Sequence, residues 1–240
     1  VEVRFIGSGD AFGSGGRLQP CILIKDDEHH FALDFGLTAL IGLRQQKIEP
    51  NTIDLVLLSH LHGDHCGGVP FLLMDAMLGS KRKSPLTIIG PEGIESHIKR
   101  MQESLFPGSH IMQPKFKVEY LEINPEKTIP INKLKISAID ARHTATTKPL
   151  ALKIITDRKT ITYTGDGELT NALIDFTAEA DLLITECYYF DKPVKWHLNY
   201  PEVQHLKAKK IILTHMHENM LIHKDEVPET CAYDGMVINI

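Results

Sequence analysis

Short apolar runs, many of them alternating with polar neighbours or bounded by turn residues, are the strand signals of this chain. Residues 1–6 alternate and predict a first strand, and residues 21–25 and 30–34 flank Asp26-Asp27-Glu28 and predict a hairpin. The run 53–58 predicts a buried strand, and 86–90, 116–123 and 134–141 predict three more. A second hairpin is expected from 150–156 and 160–164, followed by strands at 181–185 and 210–214 and a closing turn and strand over 232–238. Helical patterns cover 37–46 and 69–78, run from Pro91 through Phe106 with the proline in the first turn, and begin again near Pro201.

With 240 residues and 42% hydrophobic content the chain can bury one sizeable core. No Pro/Ser/Gly-rich linker, repeat or low-complexity run divides it, so one domain over 1–240 is expected. The longest apolar run, 69–78, is broken by Pro70 and Asp75 and is too short to span a bilayer. The first residues are strand-like rather than a basic-then-apolar export signal. Cys21, Cys66, Cys187 and Cys231 form no Cys-x-x-Cys pair, which points to scattered buried thiols and a reducing, cytoplasmic setting. A net charge of −5 argues against a general nucleic-acid-binding surface, and Ser80-Lys81-Arg82-Lys83-Ser84 reads as a solvated basic loop.

The chemistry concentrates after residues 53–58, where His60, His62, Asp64 and His65 fall within six positions. Imidazole nitrogens and carboxylate oxygens are ligands for zinc, iron or manganese. In an extended segment His60 and His62 point the same way and can grip one ion, while Asp64 and His65 lie where the chain turns and face a neighbouring position. Gly63, Gly67 and Gly68 let the backbone turn tightly there. Further candidates close other strands: His143 after 134–141, Asp166 within Gly165-Asp166-Gly167, Glu186 after 181–185, and His215 after 210–214, with His217 an alternative at that last locus or a neighbour of the substrate. The glycine-rich stretch 7–17 is no dinucleotide fingerprint, because Phe12 stands where the third glycine is required and a strand follows in place of a helix.

His60-x-His62-x-Asp64-His65 after an apolar strand resembles the signature of the metallo-β-lactamase superfamily. The resemblance implies an α/β, four-layer αββα sandwich, two mixed sheets flanked by helices, with a metal centre at one sheet edge. It implies two divalent ions, zinc in the first instance and manganese or iron as alternatives. The first would take His60, His62 and His143, the second Asp64, His65 and His215, and Asp166 would bridge them. Asp64 is counted among the catalytic residues as well. The ions would acidify a shared water so that hydroxide exists near neutral pH, and no side-chain nucleophile is needed. Asp34 matches a position that supports the metal loop by hydrogen bonding, its alternative role being an N-cap for 37–46. Residues 7–17 are expected to border the site.

The resemblance is closest to the ribonuclease Z-like branch, in which a non-ligand histidine follows an acidic residue between the bridging Asp and the last ligand. Glu186 and His197 hold those places, His197 as proton donor or phosphate grip and Glu186 as the group that raises its pKa. The basic arm with which ribonuclease Z holds transfer RNA would lie between His143 and Asp166, where this chain has room for one hairpin only. RNA is thereby weakened as a substrate, and a small phosphodiester, such as a cyclic nucleotide or cyclic sugar phosphate, fits better. A thioesterase or lactonase on the same fold, ribonuclease Z-like processing, and a non-catalytic metal-binding module are the alternatives. Apolar residues around the metal edge are compatible with a homodimer, as in relatives.

Overall fold

Strands that are apolar on both faces need cover on both sides, and that requirement sets the layers. In β2 (Cys21–Lys25), Ile22 and Ile24 face one core while Cys21 and Leu23 face another. In β11 (Leu182–Glu186), Leu182 and Ile184 join the first of these cores and Leu183 a third. The shared core lies between two sheets, and the outer two lie beneath helices. The computed structural model describes residues 1–125 and 127–240, except for the side chain of His110.

The remaining strands are β1 (Glu2–Gly7), β3 (His30–Leu33), β4 (Leu55–Leu57), β5 (Leu86–Gly90), β6 (Val118–Glu122), β7 (Thr128–Ile131), β8 (Leu134–Asp140), β9 (Leu150–Ile155), β10 (Thr160–Tyr163), β12 (Ile211–Thr214), β13 (Thr230–Cys231) and β14 (Val237–Asn239). Among the described residues they form two seven-stranded sheets, ordered β14-β1-β2-β3-β4-β5-β6 and β13-β12-β11-β10-β9-β8-β7. Pairing is parallel from β3 to β6 and from β10 to β13, and antiparallel elsewhere. Each parallel block sends the segments after its strands to one edge, as open α/β sheets do with their ligand loops. The expected αββα sandwich of two mixed sheets is what the chain forms.

Helices α1 (Ala39–Gln45), α2 (Gly63–Cys66), α3 (Val69–Met74) and α4 (Ile94–Leu105) follow strands of the first sheet. Helices α5 (Asn171–Thr177), α6 (Tyr200–Val203) and α7 (Glu218–Ile222) follow strands of the second. Three expectations need correction. Helix α4 begins three residues after Pro91, with left-handed Gly93 as its N-cap at φ 82°. The helix expected over 69–78 relaxes into a π-helical turn at Asp75–Gly79. The basic loop is not wholly solvated: Arg82 is buried and donates from Nε to the Ser84 carbonyl and from Nη2 to that of Pro85. Cys231 is half-buried where the other three cysteines are buried, and no described helix is long and apolar enough to cross a membrane.

The start of α3 is pressed against the turn after β3. Gly68 N–H donates to the Phe35 carbonyl at 2.9 Å, and a Cβ on Gly68 would stand 2.1 Å from the Gly36 carbonyl oxygen. Gly68→Ala should therefore lower stability by about 1–3 kcal/mol, the range for overpacking. A denaturant midpoint equal to that of the unsubstituted protein would refute this packing.

Candidate metal centre

Five strand ends bring the site together at the same edge. The turn after β4 carries Ser59, His60 and His62, and the single turn of α2 carries Asp64 and His65. The segments after β8, β10 and β12 supply His143, Asp166 and His215, and β11 ends on Glu186. His60, His62 and His143 form one cluster and Asp64, His65, Asp166 and His215 a second, the candidate ligand atoms of each lying within 4.8 Å of one another. All seven side chains expected at the centre are thus gathered there.

Hydrogen bonding on the far side of the His60, His65 and His143 rings fixes which nitrogen faces inward. Ser59 Oγ donates to Asp34 Oδ2 at 2.8 Å, so its oxygen accepts from His60 Nδ1 at 3.0 Å and leaves the His60 Nε2 lone pair free. Likewise His65 Nδ1 donates to Asp34 Oδ2 at 2.6 Å, and His143 Nδ1 donates to the Trp196 carbonyl at 2.8 Å. In the first cluster His62 Nδ1 then stands 3.1 Å from His60 Nε2 and 3.2 Å from His143 Nε2. In the second, His65 Nε2 lies 3.3 Å from His215 Nε2, 3.2 Å from Asp64 Oδ2 and 3.3 Å from Asp166 Oδ2. A tetrahedral cation with bonds of about 2.0–2.1 Å spaces its ligands by about 3.3–3.4 Å. Both clusters fit divalent metal on that measure, and Asp166 Oδ1 is a buried acceptor with no hydrogen-bond partner among the described residues.

Electrostatics agree with the donor set. Burial, then the neighbouring His65, pushes His60 well below the usual imidazole pKa, and burial likewise lowers His62 and His143, so these rings are neutral and their lone pairs available. Burial opposes a charge on His65, but Asp166, Asp64 and Asp34 outweigh it and raise that ring. Burial would also raise Asp64, yet His65 and His215 pull it well below the ordinary carboxylate range.

Glu186 and His197 stand beside the second cluster. His197 Nδ1 lies 2.8 Å from Glu186 Oε2 and 3.9 Å from Asp166 Oδ2, and Glu186 Oε1 accepts from Gly167 N–H. Burial disfavours a charged His197, but Glu186 overrides it and raises the ring to about 9. The ring of Tyr188 stacks on His197 at 4.5 Å. Ala11 and Phe12 of the glycine-rich stretch line the mouth with His62, Asp64, Asp166 and Tyr188, enclosing about 280 Å³.

Two alternatives fall away. The His217 ring lies outside both clusters, its Nδ1 accepting from Asn219 N–H at the start of α7. Asp34 caps no helix: it accepts from Ser59 N–H, Ser59 Oγ, His65 Nδ1 and the Tyr163 hydroxyl. Tyr163, Tyr188 and the Trp196 carbonyl were not anticipated from the sequence. Tyr163 alone carried a signal there, as the polar-tipped aromatic ending the strand before Asp166.

A family model described as anti-Pycsar protein Apyc1 matches residues 1–231. The chain belongs to that family. Among curated relatives, ribonuclease Z of Lachnoclostridium phytofermentans is 27% identical over 146 residues, covering 60% of this chain and 45% of the relative. The chain thus spans less than half the length of that protein. Human tRNase Z, short form, superposes with a TM-score of 0.80 at 23% identity, covering 100% of this chain and 99% of that one. A diphosphatase of the PhnP family gives 0.79 at 17% identity, covering 100% and 97%. The fold is that of the metallo-β-lactamase proteins, and the chain is similar in sequence to part of ribonuclease Z.

Asp34 sits in the left-handed region at φ 55°, which Asn tolerates. Asp34→Asn should keep native far-UV circular dichroism but weaken zinc affinity about 10–100-fold, the usual cost of losing an outer hydrogen-bond partner. Unchanged affinity in a chelator competition would contradict the role given to Asp34.

Proposed function

We propose that the chain is a divalent-metal-dependent hydrolase that cleaves a small phosphodiester, such as a cyclic nucleotide or cyclic sugar phosphate. One observation carries this reading: His197, backed by the buried Glu186, lines the cleft that both clusters face. In this proposal His60, His62 and His143 hold one ion, Asp64, His65 and His215 hold the other, and Asp166 serves both. Zinc suits this nitrogen-rich set, with manganese or iron as alternatives. Bound there, divalent ions would supply Lewis acidity toward a phosphoryl oxygen and would acidify water near neutral pH.

The chain's own residues supply the proton and the geometry. Glu186 holds the Nδ1 proton of His197, which leaves Nε2–H to donate to the departing oxygen of the ester or to a phosphoryl oxygen. Stacking against Tyr188 restrains the ring's rotation. Asp64 acts by holding its cluster together, its Oδ2 lying 3.2 Å from His65 Nε2 and 3.4 Å from His215 Nε2, and would offset the charge of the ion held there.

Substrate size follows from what borders the cleft. A cavity of about 280 Å³ suits a small molecule. Between His143 and Asp166 the chain makes only the short turn Ala145–Thr147 and the β9–β10 hairpin, so no arm extends to grip a folded RNA. The net charge of −5 favours the same choice. Ribonuclease Z-like processing remains the second reading, supported by the names of the curated relatives. A single domain over 1–240 is supported by the core that both sheets share, and a cytoplasmic setting by the four free cysteines.

Metal-loaded protein should hydrolyse bis-p-nitrophenyl phosphate and a cyclic mononucleotide, and lose both activities on chelation. His197→Ala should lower kcat about 10²–10⁴-fold, the usual share of a general acid. Inertness toward every phosphodiester, together with His197-independent opening of thioesters or lactones, would overturn the proposal.

A further inference from the structure

The residue before His197 is held in a conformation that its own side chain disfavours. Trp196 has φ 73°, in the left-handed region that a bulky residue rarely occupies unless its surroundings enforce it. The peptide units of Trp196 are gripped on both sides. Its N–H donates to Glu168 Oε1 at 2.9 Å, and its carbonyl accepts from His143 Nδ1 at 2.8 Å. One residue later His197 meets Glu186. Glu168 is itself fixed across the cleft's edge, since its N–H donates to the Arg142 carbonyl at 2.9 Å and its Oε2 lies 3.0 Å from Arg142 Nε. The far end of the same loop is closed by Tyr188 N–H donating to the Leu198 carbonyl at 2.8 Å.

We infer that Glu168 is a positioning residue which, through the backbone of Trp196, sets both the His143 ring and the His197 ring. The inference rests on the proposed hydrolase reading and adds a residue that touches neither metal nor substrate. Two candidate explanations for a carboxylate at this place separate on what each contact holds. The Arg142 side chain is 72% exposed, so its ion pair with Glu168 contributes little. The hydrogen bond from Trp196 N–H goes to the other oxygen of the same carboxylate and is the contact that opposes relaxation of the strained peptide. Without it, Trp196 can return to an ordinary φ, its carbonyl turns from His143, and His197 leaves its station beside Asp166. A ligand of the first cluster and the proton donor are therefore tied to one acceptor.

The test compares Glu168→Ala, Glu168→Gln and Arg142→Ala in the full chain, with bis-p-nitrophenyl phosphate turnover and zinc affinity by chromophoric-chelator competition as separate readouts. Glu168→Ala should lower kcat about 10–100-fold with KM nearly unchanged, and weaken the affinity of one of the bound zincs by a similar factor. Glu168→Gln, which keeps an oxygen to accept from Trp196 N–H, should restore both, and Arg142→Ala should match the parent protein. The inference is overturned if Glu168→Ala keeps parental zinc affinity, if Gln fails to rescue, or if Arg142→Ala reproduces the loss. Were the parent protein inert toward phosphodiesters, the hydrolase reading alone would fail, and the zinc measurements would still decide the role of Glu168.

Discussion

A single buried carboxylate determines where the two halves of this fold meet. Asp34 leaves the end of β3 in a left-handed turn and has no exposure to solvent. It accepts from Ser59 N–H and Oγ and from His65 in the metal loop of its own sheet, and from the Tyr163 hydroxyl at the end of β10 in the other. A buried carboxylate is tolerated only when its lone pairs are satisfied, so the loop, the helix turn and the opposite strand have to arrive together. Removing one partner takes a hydrogen bond from a buried charged acceptor, at a cost of about 1.5–3 kcal/mol. The edge where β4 and β10 end is therefore the one place the chain can build its polar cluster.

From that anchor the order of the site follows outward. Asp34 and Ser59 orient His65 and His60, the Trp196 carbonyl orients His143, and the lone pairs that remain converge on two points. Neutral rings in the first cluster, and two carboxylates facing two rings in the second, line the cleft with groups that a divalent cation can use. The donor side of the chemistry is concentrated in His197, which Glu186 keeps protonated and Tyr188 keeps in place. A cleft built this way suits an anionic ester: cations to meet its oxygens and one proton for the group that leaves.

Much of this was legible before any coordinates, for a physical reason. Buried strands show as apolar runs, and a ligand loop must leave the end of a buried strand, so His60, His62, Asp64, His65, His143, Asp166 and His215 each announced themselves by standing just past such a run. Glu186 and His197 stand where the resemblance to the ribonuclease Z-like branch puts an acidic residue and a histidine, and they are 2.8 Å apart. Illegible were contacts made by backbone, such as the Trp196 carbonyl on His143, because any residue supplies a carbonyl. Strand β7 escaped notice because Pro130 suppresses a strand signal, although at the edge of a sheet a proline is tolerated. Helix α5 was missed because seven residues capped by Thr170 are too few for a clear helical period. Arg82 looked solvated in a run of charges, yet carbonyls of its own loop draw it inward.

The proposed chemistry requires two cations at the points where these ligand atoms converge. Anomalous diffraction from crystals of the protein grown with zinc, collected on both sides of the zinc absorption edge, measures this directly. Two difference peaks are expected, one among His60, His62 and His143 and one among Asp64, His65 and His215, with Asp166 touching both. Peaks elsewhere on the molecule, or none at this edge in protein shown to be folded, would contradict it.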